Sequence, residues 1–451
     1  MSLAKMLATA SVLVSLAASV TAASVPTISN VGPKFFDSNG NQFYIKGIAY
    51  QLTEKDPLLD ADQCTRDANM MKTIGANTIR VYHIDPTSDH TGCMTAFANA
   101  GIYLIVDLDT FTTSINPDQG RFWTTAQYSA FAAVMDSFAS YSNTLGFFVG
   151  NEVIALANQS TSAPYIKAAA RDMKAYRNSK GYREIPIGYS AADISELRPM
   201  LQDYLVCGGN ASEAIDFFGL NAYEWCGGSS YSQSGYQSLN EQAQGYSVPI
   251  FFSETGCNTE PPRTFDDQTA ILGPDMNSMW SGAIVYEWIE ETNGFGLISY
   301  GPSLAATATG SGVEGGIVRS GTPSPVSPDF HNLQSQWSTL TPTGTPSSAY
   351  SPSITTPACP SSTASGWLVN GNVKLPTVNQ ALVTSTASTS AAPAASTGSS
   401  TGTATGTATG TATGTAASTS STKKSGSSGS REIAGMSIGL VAVMLSFVYW
   451  L

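Results

Sequence analysis

Basic runs are missing from this sequence. Only 12% of its 451 residues are charged, 21 Lys and Arg stand against 33 Asp and Glu, and the net charge is −12. No basic run is longer than Lys423-Lys424. This balance excludes nucleic acid as a partner. Histidine is scarce, at three residues, and no Cys-x-x-Cys occurs, so no metal or other cofactor is expected. The Gly-x-Ser-x-Gly match at Gly398–Gly402 has no strand before it to form the nucleophile elbow of a serine hydrolase. Nor does a glycine-rich nucleotide loop follow the first candidate strand.

The two ends lack the pattern of a folded domain. At the start, Lys5 precedes a short apolar stretch and the small residues Val20-Thr21-Ala22. That predicts a secretory signal peptide over 1–22, cut after Ala22 or Ala23. The stretch is short for a membrane-spanning helix. At the other end, Ile433 to Leu451 is apolar to the last residue and follows small polar residues. Residues 431–451 therefore read as a GPI signal tail that is removed, with Ser425 as the attachment residue; a tail-anchored helix is the alternative. Between them, 373–430 is rich in Ser, Thr, Ala and Gly and repeats TGTATGTATGTATGTA. Such a segment cannot bury a core and reads as a disordered, O-glycosylated stalk. The globular part is 23–372. Sequons at Asn158 and Asn210 agree with secretion.

Within 23–372, eight β-rich apolar runs alternate with helical stretches. The runs are 43–50, 78–83, 103–108, 147–151, 185–189, 217–221, 250–254 and 283–288. They lack period-2 alternation, as strands buried on both faces do. Eight β–α units predict a (β/α)8 TIM barrel, with an open doubly wound sheet as the alternative.

Two of these runs end on a glutamate: GFFVGNEV on Glu152 and VPIFFSETGC on Glu254. In a barrel both stand at the C-terminal ends of their strands, fourth and seventh, in the mouth where active sites form. As structural carboxylates they want a Lys or Arg nearby, and the local sequence offers none. Two carboxylates across a mouth are the equipment for glycosidic bond cleavage. Asn151 lies beside the first, where its amide can bind a sugar 2-hydroxyl. Tyr223 can hydrogen-bond Glu254, and Asp107 can meet a donor hydroxyl. Trp225 and Trp288 are candidates for stacking on sugar rings, or for the core. His83 reads as structural, and His90 falls in a polar, loop-like stretch.

VGNEV and FSETGC resemble the clan of retaining barrel glycosidases. With IRVYHID, SAADISELRPML, FFGLNAYEWCG and VYEW, they are similar more closely to glycoside hydrolase family 72, the fungal GPI-anchored β-1,3-glucanosyltransferases of the cell wall. The resemblance implies Glu152 as acid/base and Glu254 as nucleophile. It implies Tyr82, Asn151 and Tyr286 on the donor glucan, and Asp193 and Arg198 on the acceptor. It implies an enzyme that cleaves β-1,3-glucan internally and transfers the new reducing end to another chain. The expected partners are donor and acceptor glucans and, through the anchor, the plasma membrane; a monomer is expected. Some family members carry a further cysteine-rich module, which is not expected here, since only Cys359 follows the barrel. An endo-β-1,3-glucanase or mannanase on the same barrel is the rival enzyme. A non-catalytic wall mannoprotein is the rival outside enzymes.

The barrel also limits how six cysteines pair. Cys226 and Cys257 follow neighbouring strands, and Cys64 and Cys93 fall in neighbouring helical stretches. Cys207 is left for Cys359.

Overall fold

The computed structural model of the chain describes residues 24–382 except 111, 121 and 309. The segments expected to be a signal peptide, a stalk beyond residue 382 and an anchor tail, with Ser425, lie outside those residues. Eight parallel strands close into a barrel: β4 (Ile45–Ala49), β5 (Thr78–Val81), β6 (Tyr103–Asp107), β7 (Thr144–Asn151), β8 (Ile187–Ala192), β9 (Phe217–Asn221), β10 (Ile250–Thr255) and β11 (Trp280–Val285). Helices follow them in turn: α1 (Ala61–Thr73), α2 (Thr91–Ala100), α3 (Thr125–Phe138), α4 (Ala163–Ser179), α5 (Arg198–Val206), α6 (Tyr236–Gln242), α7 (Asp267–Leu272) and α8 (Asp329–Thr339). The fold is a (β/α)8 barrel. Local signals start and stop the helices. Asp60 caps α1 through the amides of Asp62 and Gln63, and Thr124 with Gln127 forms a capping box on α3. Gly101, at φ 77°, ends α2.

Alternation along the strands explains why the runs are apolar throughout. In β6, Tyr103 and Ile105 fill the lumen while Leu104 and Val106 pack under the helices. The lumen is aromatic: Phe148, Phe217 and Phe251 meet with centroids 5.1–6.2 Å apart. Its lower end is plugged by an antiparallel sheet the sequence reading did not include, β1 (Ile28–Val31), β2 (Lys34–Asp37) and β3 (Gln42–Phe43). From it, Phe35 reaches Phe217 at 5.9 Å. Three disulfides, Cys64–Cys93, Cys226–Cys257 and Cys207–Cys359, tie α1 to α2, the loops after β9 and β10, and the trailing chain to the end of α5. The trailing residues 340–382 form a strap with little regular structure. It packs on Tyr204 through Trp367 and reaches Tyr165 with the Leu382 amide, past residue 372.

Candidate active site

The mouth is built on a buried cation. Arg80, on β5, is fully buried. Its neighbours Ile79 and Val81 face the helices, so Arg80 faces the lumen. Nε and Nη2 bind the two oxygens of Asp107, at 3.1 and 2.8 Å. Nη1 donates to Glu254 Oε1 at 3.2 Å and to Ser190 Oγ at 3.1 Å, and Nη2 also donates to Asn151 Oδ1 at 3.0 Å. The Tyr82 and Phe148 rings cover it, 4.3 and 4.6 Å from the guanidinium carbon. The local sequence around the glutamates offers no such cation. The missing cation comes from another strand.

Glu254 ends β10. The pairing of β10 with β9 shifts register between Phe252, which faces the helices, and Glu254. Without that shift alternation would leave Glu254 on the helix side; an irregularity of this kind re-aims a side chain. Besides Arg80, Tyr82 Oη donates to Oε1 at 3.0 Å and Tyr223 Oη to Oε2 at 2.8 Å. Glu152, just past β7 and at φ 49°, accepts from Asn221 Nδ2 at 2.9 Å. The same amide donates to Asn151 Oδ1 at 3.0 Å. Ser190 Oγ donates to Asn151 Oδ1 at 2.8 Å and lies 2.9 Å from Ser253 Oγ, and Ser253 donates to Asn221 Oδ1 at 2.7 Å. With its oxygen held by three donors, the Asn151 amide has one orientation, and its NH2 end is the one left for a ligand.

Both glutamates are raised above the ordinary carboxyl range. Burial pushes Glu254 up to about 7; the Arg80 charge opposes, Glu152 adds to the rise, and the Tyr223 and Tyr82 hydroxyls oppose. Burial also raises Glu152, against the Asn221 hydrogen bond and the Arg80 charge. Glu152 adds to the rise of Glu254, so the two carboxyls titrate as a pair. The donors decide where the proton sits. Glu254 has a guanidinium and two hydroxyls, whereas Glu152 has one neutral amide. This donor set favours the charge on Glu254 and the proton on Glu152, against the burial that raises Glu254 to about 7. Two further buried carboxyls are raised as well. Burial, then the Asp107 charge, pushes Asp109 up to about 8; burial, then the Glu291 charge, does the same to Glu287.

The other sequence-derived residues distribute as follows. Asp107, read as a contact for a sugar hydroxyl, is 3% exposed and gives both oxygens to Arg80; here it holds the cation. Tyr286 stands edge-on to Tyr223, with Phe295 against both rings. Asp193 and Arg198, at the entry to α5, form an ion pair, and Arg198 Nη2 donates to Gln242 Oε1 at 2.8 Å. Trp288 is fully buried and donates to Tyr300 Oη at 3.1 Å, so it belongs to the core. Trp225 is half-buried against Tyr236. His90 is not in an open loop: it is buried, 2.9 Å from Asp56 Oδ2. Asn158 and Asn210 are exposed. Among the described residues no group of three or more His, Cys, Asp and Glu could hold a metal ion. Arg80, Asn221, Ser190 and Ser253 were not singled out from the sequence. A lone arginine inside the apolar run TIRVYH was the available signal, because a charge is buried only when paired.

The sequence model of the glucanosyltransferases, glycoside hydrolase family 72, matches residues 17–309. Protein EPD1 of Candida maltosa is 42% identical over 354 residues, which cover 76% of this chain and 61% of that protein. The 1,3-beta-glucanosyltransferase gas2 of Schizosaccharomyces pombe is 38% identical over 369 residues, 78% of this chain and 76% of that one. Among solved structures, Saccharomyces cerevisiae Gas2p in complex with laminaritriose and laminaritetraose superposes with a TM-score of 0.70 at 39% identity, over 78% of this chain and 76% of that chain.

Proposed function

The chain belongs to the glucanosyltransferase family, glycoside hydrolase family 72, and from that premise we propose that it is a retaining β-1,3-glucanosyltransferase. The observation that carries the reading is the unequal pair at the mouth: a carboxylate held by Arg80, Tyr82 and Tyr223, facing a carboxyl held by one amide. In the first step Glu254 attacks C1 of the donor glucose at the bond to be cut. Glu152 gives its proton to the departing oxygen, and the reducing-end fragment leaves. In the second, Glu152, now a carboxylate, takes the proton from an acceptor hydroxyl. That oxygen attacks C1 and frees Glu254. Two inversions leave a β-1,3 bond and a longer chain. Asn151 offers its NH2 to the 2-hydroxyl of the donor, where the bond strengthens in the transition state. Tyr82 and Tyr286 line the donor side, and Asp193 and Arg198 the acceptor side.

Hydrolysis and transfer share the covalent intermediate and differ in what breaks it. Incubation with a reduced laminari-oligosaccharide separates them. Products longer than the substrate are expected; only shorter ones would make the protein a glucanase, and no change would support a wall mannoprotein. The terminal sequences support secretion and a GPI anchor at Ser425 on the outer face of the plasma membrane, with a monomeric barrel on the stalk. Release from membranes by phosphatidylinositol-specific phospholipase is expected. Recovery of Ile433–Leu451 in the mature chain would defeat the anchor.

A further inference from the structure

The outer face of α3 and α4 carries a feature the catalytic mouth does not use. An open cleft of about 520 Å³ is lined there by Tyr128 of α3, Arg171, Asp172 and Ala175 of α4, and Thr377 and Val378 of the strap. Its polar groups are fixed. Asp172 accepts from Trp123 Nε1 at 2.7 Å and from Arg171 Nε at 2.8 Å, and Arg171 Nη2 donates to Pro376 O at 2.8 Å. Among the described residues, neither the Tyr128 hydroxyl nor Arg171 Nη1 makes a hydrogen bond, so both are left for a ligand.

Beyond the cleft the aromatic surface continues. Tyr176 meets Tyr128 edge to face, with centroids 6.0 Å apart. Tyr176 and Tyr182 each donate to Asp136, at 2.8 and 2.7 Å, and Lys180 lies over both rings. Three half-buried tyrosines, Tyr128 on α3, Tyr176 on α4 and Tyr182 just past its end, thus line a surface whose helical part ordinarily carries charged side chains. The charges here are paired, Arg171 with Asp172 and Lys180 with Asp136, so the patch has no net charge to recognise an ionic ligand. Ring faces flanked by planar hydrogen-bonding groups fit a neutral polyhydroxyl ring, with C–H groups over the tyrosines and hydroxyls on Arg171 and Asp172.

We propose that this cleft and its tyrosine track are a second carbohydrate site, apart from the mouth, which holds a stretch of β-1,3-glucan. The choice of glucan rests on the transferase reading above. A polymer extends beyond the mouth, and holding a distant stretch raises its effective concentration there.

The test uses the mature secreted protein. Binding is measured on insoluble linear β-1,3-glucan in a Glu254→Gln background, so the polymer is not consumed. The mouth is kept occupied by short laminari-oligosaccharide, and mannan is the control polymer. Tyr128→Ala with Tyr176→Ala is expected to weaken retention about tenfold. Tyr128→Phe with Tyr176→Phe keeps the rings and is expected to restore most of it. With Glu254 intact, the alanine pair is expected to leave transfer between short laminari-oligosaccharides unchanged. Undiminished retention by the alanine pair overturns the site, as does wild-type retention on mannan equal to that on glucan. A parallel loss of short-substrate transfer also overturns it, because the change then acts through the fold. Failure of the wild-type protein to make longer products strikes the transferase reading alone, since glucan retention is scored without turnover.

Discussion

Single residues divide the chemistry unevenly, and that can be measured. Glu254→Gln removes the nucleophile, so no glycosyl-enzyme should form. Glu152→Gln keeps the nucleophile but cannot protonate the leaving oxygen, and turnover should fall about 100- to 10,000-fold. Near-wild-type turnover in either variant refutes the assignment. Tyr223→Phe tests how the charge is held on Glu254. The Tyr223 hydroxyl lowers the Glu254 pKa, so its loss raises it, and less of the nucleophile is ionised at a given pH. A hydrogen bond to a charged group is worth about 1.5–3 kcal/mol. The acid limb of kcat/KM should therefore move up by about one pH unit or more, and an acid limb that stays in place removes Tyr223 from this role. The two glutamates were legible because each closes an apolar run, which no packing argument explains. Arg80 was not. Its partners Asp107 and Glu254 lie 27 and 174 residues away, so its role emerges only when the barrel closes.

Elements were legible where polar residues mark the ends of the apolar run. The run at 217–221 coincides with β9, which Asp216 precedes and Asn221 closes. The run at 283–288 was placed three residues late against β11, Trp280–Val285, because Tyr286 and Trp288 prolong the apolar stretch after the strand has ended. The β1–β3 plug was missed because two- and four-residue strands carry too few positions for a period to register. Register shifts are equally silent in the sequence, although one of them aims Glu254. Packing in the lumen supplies an element-scale test at Gly219 on β9. A Cβ there would stand 2.6 Å from Ser253 Oγ, so the residue must be small for Ser253 to reach Asn221. Gly219→Ala should cost about 1–3 kcal/mol by overpacking and also disturb the Asn221 amide beneath Glu152. Differential scanning calorimetry should show a lower Tm together with reduced transfer. An unchanged Tm would mean that the lumen repacks without cost.

For the whole molecule, barrel and strap pose different stability problems. The barrel closes through its own ladders and buries its lumen from every strand, so it needs no external tie. Residues 340–382 have no ladder: Trp367, Val369 and Leu375 are buried against the core, and the hydrogen bonds are scattered, Thr345 on Gln42, Leu368 on Ser160, Asn379 on Trp123. Composition gave no sign that the segment packs past residue 372, because Thr377, Asn379 and Gln380 look like stalk and are held through backbone and capping bonds. Cys207–Cys359 adds a covalent tie to those contacts. It spans 152 residues, and the loop-closure entropy removed from the unfolded chain is worth up to roughly 5 kcal/mol. The bond also fixes the strap beside α5, so each weak contact forms at high local concentration. Replacing both cysteines by serine should therefore lower the unfolding midpoint and, below it, expose the strap first. Limited proteolysis should cut within 340–382 while the barrel fragment stays intact and still transfers between short laminari-oligosaccharides. Cleavage of the double variant no faster than wild type would mean that the scattered contacts hold the strap without the bond. Loss of transfer at the same rate as cleavage would mean that the strap supports the mouth as well as itself.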